Sequence, residues 1–262
     1  MRLEDWINHH YLQAANQAAH ATAFAGESHA SVALDKFLRP DKFSALQRMF
    51  GIEGRFEERY YLWEWEEGGR SERAVSADTW RNAPADRRAF VERVFVGPHP
   101  KYRISGGITA HFKFVEMLAS PQFMNFLYTV TGLRARTVSG LLPRIMVGGQ
   151  YIPPHSDFMP TRDLCGVFYV SAGWQPSFGG RFRHCEPGPE IVPVEPVPNR
   201  LLLFQPRLDC KHDVEAITAA GADWQRWSYS VWFGTPATDS TGNLIGAGKD
   251  EARVPAPKGS QA

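Results

Sequence analysis

The chain has 262 residues, of which 43% are hydrophobic and 22% are charged, and its formal net charge is +1. These proportions are typical of a folded protein and exclude a disordered or collagen-like chain. Its Lys and Arg residues are scattered, so no basic surface indicates a nucleic-acid or membrane partner, and a small-molecule substrate is expected instead. The first residues lack a signal-peptide core, and no stretch approaches the roughly 18 apolar residues that span a bilayer, which predicts a cytoplasmic protein.

The cysteine pattern favours reduced thiols. Cys165, Cys185 and Cys210 are odd in number and show no CxxC spacing. A disulfide framework or a zinc knuckle would need paired cysteines at characteristic spacings. The oligomeric state is left open by the sequence.

In the first third of the chain, the sequence predicts helices before and after one early strand. Residues 1–30 predict a helical opening, and the segment SVALDKFL that follows predicts a strand and a turn. Pro40 begins a helix that places Phe43, Leu46 and Phe50 on one face and ends at Gly51.

The middle of the chain carries weaker patterns. FEERYYLWEWEEGGR predicts an aromatic strand and a turn, SADTWRNAPADRRAFVERVF predicts capped helical segments, and Gly106-Gly107 predicts a loop. Residues 109–132 predict two helices separated at Ser120-Pro121.

After Gly132 the pattern changes to short apolar segments separated by Pro, Gly and Asn. Strands at such short intervals predict a β-barrel or sandwich with the helices packed outside. We expect one domain over residues 1–234, in which residues 1–134 form a helical and strand support and substrate cap and residues 135–234 form the catalytic β-structure. Residues 235–262, rich in Gly, Ala, Pro and Ser, predict a flexible tail.

Three residues predict a metal centre. His155 and Asp157 are two positions apart, so they point to the same side of an extended chain, and His212 follows a later strand-like segment. Two imidazoles and one carboxylate on one face leave open positions, which is the arrangement of non-haem Fe(II) oxygenases. An HxD pair alone is common and is weak evidence for a metal site. The segment downstream of it strengthens the prediction.

That downstream segment carries an arginine suited to a carboxylate. Arg226, Ser228 and Ser230 share one face of a strand-like run, RWSYSVWF. The planar guanidinium can bind a carboxylate through two hydrogen bonds, and a neighbouring hydroxyl can add a third. Arg200 and Arg207 are the other candidates for this role.

Taken together, these segments resemble the Fe(II)/2-oxoglutarate oxygenases, in particular their prolyl-hydroxylase-like branch. VFYVSAGWQPSFGGRF, RLLLFQPRLDCKHDV and RWSYSVWF resemble three consecutive parts of that catalytic domain. The upstream VALDKFLRPDKFSAL and MLASPQFMNFLYTVTG resemble its first strand and supporting helices. The likeness therefore covers most of the chain, and is weaker before residue 110.

The resemblance implies a mainly β fold with flanking helices, built around a double-stranded β-helix, the jelly-roll or cupin-like barrel. It implies Fe(II), 2-oxoglutarate and O2 as cofactors, with ascorbate as a reductant in vitro, and it places Tyr169 against the co-substrate. Succinate and CO2 would be the co-products of C–H bond oxidation. Because Asp157 keeps the carboxylate that halogenating relatives lack, hydroxylation or another outcome of hydrogen abstraction is favoured.

The substrate is predicted only by class. A single domain without a peptide-binding extension favours a free amino acid or a natural-product building block, and protein or peptide prolyl hydroxylation is the alternative. Ring formation or desaturation can follow from the same hydrogen abstraction. Candidate substrate contacts are Arg144, Tyr151 and Trp63, although Arg144 can equally form a structural salt bridge and Trp63 can equally belong to the core.

A different class of protein is also consistent with these ligands. Zinc hydrolases accept two histidines and one carboxylate, and cupin-like proteins bind metals without oxygenase chemistry. Arg226 and Tyr169 favour the oxygenase, because a hydrolase needs no carboxylate clamp there. The remaining histidines, including His29 and His184, are interpreted as structural or surface residues.

Overall fold

The computed structural model describes residues 2–26, 29–66, 69–185 and 193–235. The five helices of these residues are α1 (Ala14–Gly26), α2 (Pro40–Arg48), α3 (Ala77–Asn82), α4 (Gly106–Leu118) and α5 (Pro121–Thr131). Their strands are β1 (Ser31–Leu34), β2 (Gly54–Glu66), β3 (Gly69–Val75), β4 (Arg88–Pro98), β5 (Thr137–Met146), β6 (Ile152–His155), β7 (Leu164–Tyr169), β8 (Phe182–His184), β9 (Leu201–Phe204), β10 (His212–Val214) and β11 (Arg226–Gly234). The predicted tail lies outside the described residues, apart from Thr235.

The strands form two antiparallel sheets. The large sheet has the order β1-β9-β7-β11-β5-β4-β2-β3, and the small sheet has the order β6-β10-β8. The predicted fold class, a mainly β jelly-roll with flanking helices, is confirmed. Within the described residues the two sheets remain separate, so the predicted barrel is realised as two facing sheets.

The large sheet separates the helical layer from the small sheet. Side chains alternate along β11: Tyr229, Val231 and Phe233 belong to the large core shared with the helices, whereas Arg226 and Ser230 line a cavity on the other face. This alternation follows from the period of two residues in a strand. The chemistry-bearing side chains therefore face the space between the two sheets.

The helices cover the outer face of the large sheet with apolar residues. Phe114 of α4 packs against Phe168 and Tyr229, with ring centroids 5.5 and 5.1 Å apart. Phe123 of α5 packs against Phe233 at 5.9 Å. A serine caps each helix, because Ser105 Oγ accepts a hydrogen bond from Ile108 N and Ser120 Oγ accepts one from Phe123 N. None of the described helices is both long and apolar enough to cross a membrane.

The prediction of a loop at Gly106-Gly107 is wrong, because these residues form the first turn of α4. The buried carboxylate of Glu53 accepts hydrogen bonds from Ser105 Oγ at 2.5 Å and Ile108 N at 3.0 Å, and so stabilises the helix N-terminus. A Cβ on Gly107 would lie 2.3 Å from Glu53 Oε2, so only glycine fits this approach. The absence of a side chain at Gly107 therefore allows the Glu53 carboxylate to pack against the start of the helix.

The prediction of helical structure also fails over residues 88–95, which belong to β4. Val91 and Val94 are β-branched residues that favour strands, and they pair with Tyr60 and Glu57 of β2. The segment forms a strand and not a helix because the long β2 strand offers it a hydrogen-bonding partner.

After α2, the chain continues through a π-helical turn, Met49–Glu53, two residues beyond the predicted end at Gly51.

Candidate metal centre

The three predicted metal ligands meet between the two sheets. His155 ends β6 and His212 begins β10, and the antiparallel register places these two residues directly opposite each other. Asp157 follows His155 by two residues, so the chain leaving β6 brings its carboxylate back beside both rings. Their ligand atoms all lie within 4.8 Å of one another.

The distances within this group suit a shared cation. Asp157 Oδ2 lies 3.4 Å from His212 Nε2, and Asp157 Oδ1 lies 3.8 Å from His155 Nε2. The two imidazole centroids are 4.3 Å apart. Nitrogen and oxygen atoms of three residues thus surround one point, a set of donors that fits a divalent iron ion with positions left open.

The orientation of His155 is fixed by its other ring nitrogen. Its Nδ1 lies 2.8 Å from the carbonyl oxygen of Pro153, which can only accept a hydrogen bond, so Nδ1 carries the proton. Nε2 is therefore left with a free lone pair on the side of Asp157. Burial, and then the neighbouring His212, lower the pKa of His155 and keep the ring neutral for metal binding.

Asp157 is held as a carboxylate. Burial by itself would raise the pKa of Asp157, but the hydrogen bond and charge of His212, together with His155, bring it well below its ordinary value. Arg162 Nη1 also lies 3.9 Å from Asp157 Oδ1. An ionised carboxylate is the form that binds a metal.

Arg226 lies in the same cavity and is 2% exposed. Its Nε donates to the carbonyl oxygen of Gly180 at 2.9 Å, and Nη1 donates to Ser228 Oγ at 3.0 Å. Within the described residues no carboxylate pairs with this guanidinium. A buried, unpaired cation is costly, so the site fits an anionic ligand that supplies the missing charge.

Tyr169 supplies a second polar group that lacks a partner. It is fully buried, lies directly opposite Ser228 on the neighbouring strand, and its ring stands 5.0 Å from the guanidinium of Arg226. The hydroxyl of Tyr169 makes no hydrogen bond of good geometry among the described residues, and the charged group that acts on it most strongly is the guanidinium of Arg226. An orphaned buried donor beside an unpaired arginine fits a bound carboxylate.

These groups line a cavity of about 430 Å³, a volume that includes its open mouth. Its walls include the three candidate ligands together with Arg144, Cys165, Arg226, Ser230 and Trp232. Apolar side chains from β7, β8 and β9 complete it, namely Val167, Phe182 and Phe204. The three candidate ligands, Arg144 and Arg226 therefore face one shared cavity.

Of the three candidate substrate contacts, Arg144 lines this cavity. It forms an ion pair with the buried Glu92 at 3.3 Å, and Glu92 also accepts a hydrogen bond from Tyr61 Oη at 3.0 Å. Tyr151 is part-exposed and donates to the carbonyl oxygen of Ala89, while Trp63 is buried on β2. Neither of these two aromatic residues is part of the cavity wall.

The other two arginine candidates for the carboxylate are engaged elsewhere. Arg200 pairs with Asp35 through two hydrogen bonds of 2.5 and 2.9 Å, and Arg207 pairs with Asp209. Arg226 is thus the candidate that the structure brings to the cavity.

Cys165 is a further cavity residue, and burial raises the pKa of its thiol well above the ordinary value.

Sequence reasoning missed two features near this site. Glu92, the partner of Arg144, lies in the segment that was interpreted as helical. The second is a cluster of His29, His184 and Cys210, whose ligand atoms lie within 4.8 Å of one another. These three residues are far apart in the sequence, so no spacing signal indicates their contact.

Comparison with known proteins supports the sequence resemblance. Residues 142–234 match the family model of the 2OG-Fe(II) oxygenase superfamily. No curated protein sequence matches the chain. The family resemblance drawn from the sequence is confirmed over the matched residues. The predicted enzyme class and the cofactors Fe(II), 2-oxoglutarate and O2 are confirmed with it.

Solved structures share the fold. A prolyl-4-hydroxylase from Pseudomonas putida superposes with a TM-score of 0.55 at 18% identity, covering 84% of this chain and 100% of that one. A prolyl hydroxylase from Trichoplax adhaerens, solved in complex with a hypoxia-inducible factor peptide, superposes with a TM-score of 0.52 at 14% identity, covering 84% and 90%. At these identities the likeness establishes the common architecture.

Proposed function

We propose that this 2OG-Fe(II) oxygenase hydroxylates an unactivated C–H bond of a free amino acid or of a similarly small natural-product building block. In this proposal His155, Asp157 and His212 hold the iron, and Arg226 binds the distal carboxylate of 2-oxoglutarate. The observation that carries the proposal is the meeting of these four residues, from β6 and the segment after it, β10 and β11, in one cavity.

The protein groups position the reactants. When bound, Fe(II), 2-oxoglutarate and O2 would supply an oxidative decarboxylation that yields succinate and CO2, with one oxygen atom of O2 entering succinate and the other the hydroxylated product. His155, Asp157 and His212 would hold the ion and would leave coordination positions for the co-substrate and O2. The Pro153 carbonyl keeps the His155 tautomer suitable for binding, and the apolar walls from Val167, Phe182 and Phe204 exclude water from the reacting groups.

Arg226 is suited to clamping a carboxylate before catalysis begins. Its side chain is held by Gly180 and Ser228, so little conformational entropy is lost when an anion binds. Ser228 and the hydroxyl of Tyr169 lie beside it as additional hydrogen-bond partners, and Ser230 continues the same wall toward Trp232. A dicarboxylic acid can then reach from Arg226 to the metal centre within the one cavity.

Arg144 supports a small acidic substrate. It lies on β5 directly opposite Ser228, and it shares the cavity with His155 and Arg226. Within the described residues its Nε makes no hydrogen bond despite being buried, although Glu92 lies 3.3 Å away as a counter-charge. An amino-acid carboxylate would give Arg144 the hydrogen bond that it lacks.

A peptide substrate is the second candidate, favoured by an apolar rim. Phe158 and Met159 follow Asp157 directly and are 44% and 43% exposed, and Leu208 is 74% exposed. Ser156 Oγ donates to the carbonyl oxygen of Arg207 at 2.8 Å, which holds these two loops together. Such a rim can contact residues on either side of a target proline, and the prolyl hydroxylase of Trichoplax adhaerens is a structural relative solved with a peptide bound.

The test is succinate formation by the purified protein with Fe(II), 2-oxoglutarate, O2 and ascorbate. Free amino acids and proline-containing peptides are supplied separately as substrates. We expect stimulation by a free amino acid, and we expect His155→Ala to reduce turnover at least about 100-fold, because two remaining ligands hold the iron poorly. Iron bound per chain is measured on the same samples.

The matched control is His9→Ala, because His9 is an exposed histidine far from the cavity and its loss should leave turnover unchanged. Stimulation by peptides alone would replace the small-substrate proposal with the peptide alternative. An iron-loaded protein that forms no succinate with any substrate would refute the proposed oxygenase activity.

A further inference from the structure

A second group of metal-ligating side chains lies beside the candidate iron centre. Cys210 Sγ is 3.6 Å from His184 Nδ1 and 3.8 Å from His29 Nδ1. All three residues are buried, His29 in the segment before β1, His184 at the end of β8 and Cys210 just before β10. Three separate segments of the chain therefore bring two imidazoles and one thiol to one point.

The separation of Cys210 from His184 matches that of two ligands of one tetrahedral ion, and His29 lies near enough to bind the same ion once its ring turns. Zinc lies about 2.3 Å from sulfur and about 2.0–2.1 Å from imidazole nitrogen, which gives a sulfur-to-nitrogen edge of about 3.6 Å. The two observed distances, 3.6 and 3.8 Å, are close to this edge. They are long for strong hydrogen bonds of a thiol, which is a weak donor.

His184 is a buried member of this cluster that can offer one ring nitrogen to an ion. It is 8% exposed, and its Nε2 has no hydrogen-bond partner among the described residues. Its Nδ1 contacts Cys210 Sγ, so one of the two ring nitrogens has a polar partner and the other has none among the described residues. A metal bond would form at Nδ1, the nitrogen that faces Cys210, and the ring proton would then lie on Nε2.

We propose that His29, His184 and Cys210 form a second metal site, for a zinc-type divalent ion, distinct from the site of His155, Asp157 and His212. A thiolate and two imidazoles are the soft and intermediate ligands that favour zinc over iron, calcium or magnesium. On binding, Cys210 loses its proton to solvent and the ion takes the thiolate. Water completes the fourth position.

The ion would also reorient one ring. The rings of His29 and His184 are stacked, with centroids 4.4 Å apart and an interplanar angle of 14°. Parallel rings cannot both direct an in-plane lone pair at one ion, so metal binding rotates His29, which lies outside the strands, away from the stack. His184, which is part of β8, keeps its place.

The site has a structural role next to the iron centre. His184 lies directly opposite His212 in the register of β8 and β10, and Phe182 packs against both rings at 5.0 and 4.9 Å. Cys210 precedes His212 by two residues. An ion at this position ties the segment before β1 to β8 and β10, and so fixes the strand that presents His212.

Cobalt is the probe for this site, because a Co(II)–thiolate bond gives a near-ultraviolet charge-transfer absorption. The full chain is freed of metal with a chelator and titrated with Co(II). We expect the thiolate absorption to saturate at one equivalent in the wild type and in His155→Ala, and to disappear in Cys210→Ser. Zinc bound after equilibrium dialysis should fall by one ion per chain in Cys210→Ser.

Two matched controls separate this thiol from the others. Cys185→Ser removes an exposed thiol next to His184, and Cys165→Ser removes the thiol that lines the iron cavity, so both should keep the absorption. His29→Ala gives a second variant in case Cys210→Ser fails to fold, and it should weaken Co(II) binding at least tenfold. No thiolate absorption in the wild type, or its persistence in Cys210→Ser, would overturn the proposal.

Discussion

The guanidinium of Arg226 is almost fully buried, yet none of the described carboxylates pairs with it. Proteins tolerate such a group when a ligand completes it, because the cost of a buried unpaired charge exceeds the strength of most single contacts. The nearby hydroxyl of Tyr169 is likewise buried and unpartnered. At the scale of single residues, these two unsatisfied groups mark the position of an acid more clearly than the sequence pattern does.

Replacing Arg226 with Lys keeps the charge but removes the planar fork. We expect the KM for 2-oxoglutarate to rise about 10- to 100-fold in Arg226→Lys, about 1.4–2.8 kcal/mol, with a smaller change in kcat. Tyr169→Phe should raise the same KM several-fold, because it removes one hydrogen bond. Initial rates at varied 2-oxoglutarate measure both effects.

Arg200→Met is the matched control, because Arg200 is paired with Asp35 outside the cavity. It should leave the KM for 2-oxoglutarate within error of the wild type. An unchanged KM in Arg226→Lys, or a rise in Arg200→Met, would remove Arg226 from the proposed co-substrate site.

At the scale of elements, one side chain joins the start of β9 to the turn after β1. Asn199 is buried and adopts a left-handed backbone conformation with φ 61°. Its amide bonds both backbone groups of Leu38, accepting from N at 2.8 Å and donating to O at 2.9 Å. Its own backbone N donates to the carbonyl oxygen of Tyr169, so the same residue fixes the end of β7.

Two substitutions separate the backbone effect from the side-chain effect at Asn199. Asn199→Gly loses the two buried hydrogen bonds but accommodates the positive φ, and should lower the free energy of unfolding by about 2 kcal/mol. Asn199→Ala also carries the cost of the left-handed backbone, about 1 kcal/mol more. Urea denaturation measures both values.

Asn125→Ala, at an exposed position of α5, serves as the control and should change stability by less than about 0.5 kcal/mol. Equal losses in Asn199→Gly and Asn199→Ala would show that backbone strain contributes nothing there. No loss in either variant would refute the bridging role of Asn199.

At the scale of the whole molecule, the helical layer is joined to the large sheet through a buried histidine. His111 of α4 is 4% exposed, and its Nδ1 lies 3.0 Å from the hydroxyl of Tyr229 on β11. Burial lowers the pKa of His111 to about 4. The ring is therefore neutral in the folded protein at every pH near neutrality.

This histidine makes the fold sensitive to mild acid. In the unfolded chain His111 has its ordinary pKa of about 6.5, so between about pH 6.5 and 4 the unfolded state binds a proton that the folded state does not. Stability from this residue is complete above pH 6.5 and is lost as the pH falls toward 4. At pH 5.0 the loss is about 2 kcal/mol.

His111→Phe should therefore reduce the difference in unfolding free energy between pH 7.5 and pH 5.0 by about 2 kcal/mol, measured by urea denaturation at both pH values. His9→Ala, at an exposed position, should leave that difference unchanged. An identical pH dependence in wild type and His111→Phe would contradict the assignment.

The sequence by itself determined the parts of this protein in which chemistry and spacing are local. The HxD pair, the arginine-bearing strand, the two helices separated at Ser120-Pro121 and the short strands after Gly132 all follow from patterns within a few residues. Tyr169 came from family resemblance, and the structure places it beside Arg226. These features depend on strand alternation and helix capping, which neighbouring residues dictate.

Only the tertiary structure decided the features that depend on distant partners. Residues 88–98 became β4 because β2 pairs with them, and Gly107 begins a helix because Glu53 occupies its N-terminus. The pairing of Arg144 with Glu92, and the meeting of His29 with His184 and Cys210, join segments that no local pattern connects. Such contacts are set by the packing of whole sheets and helices, which a short stretch of sequence does not encode.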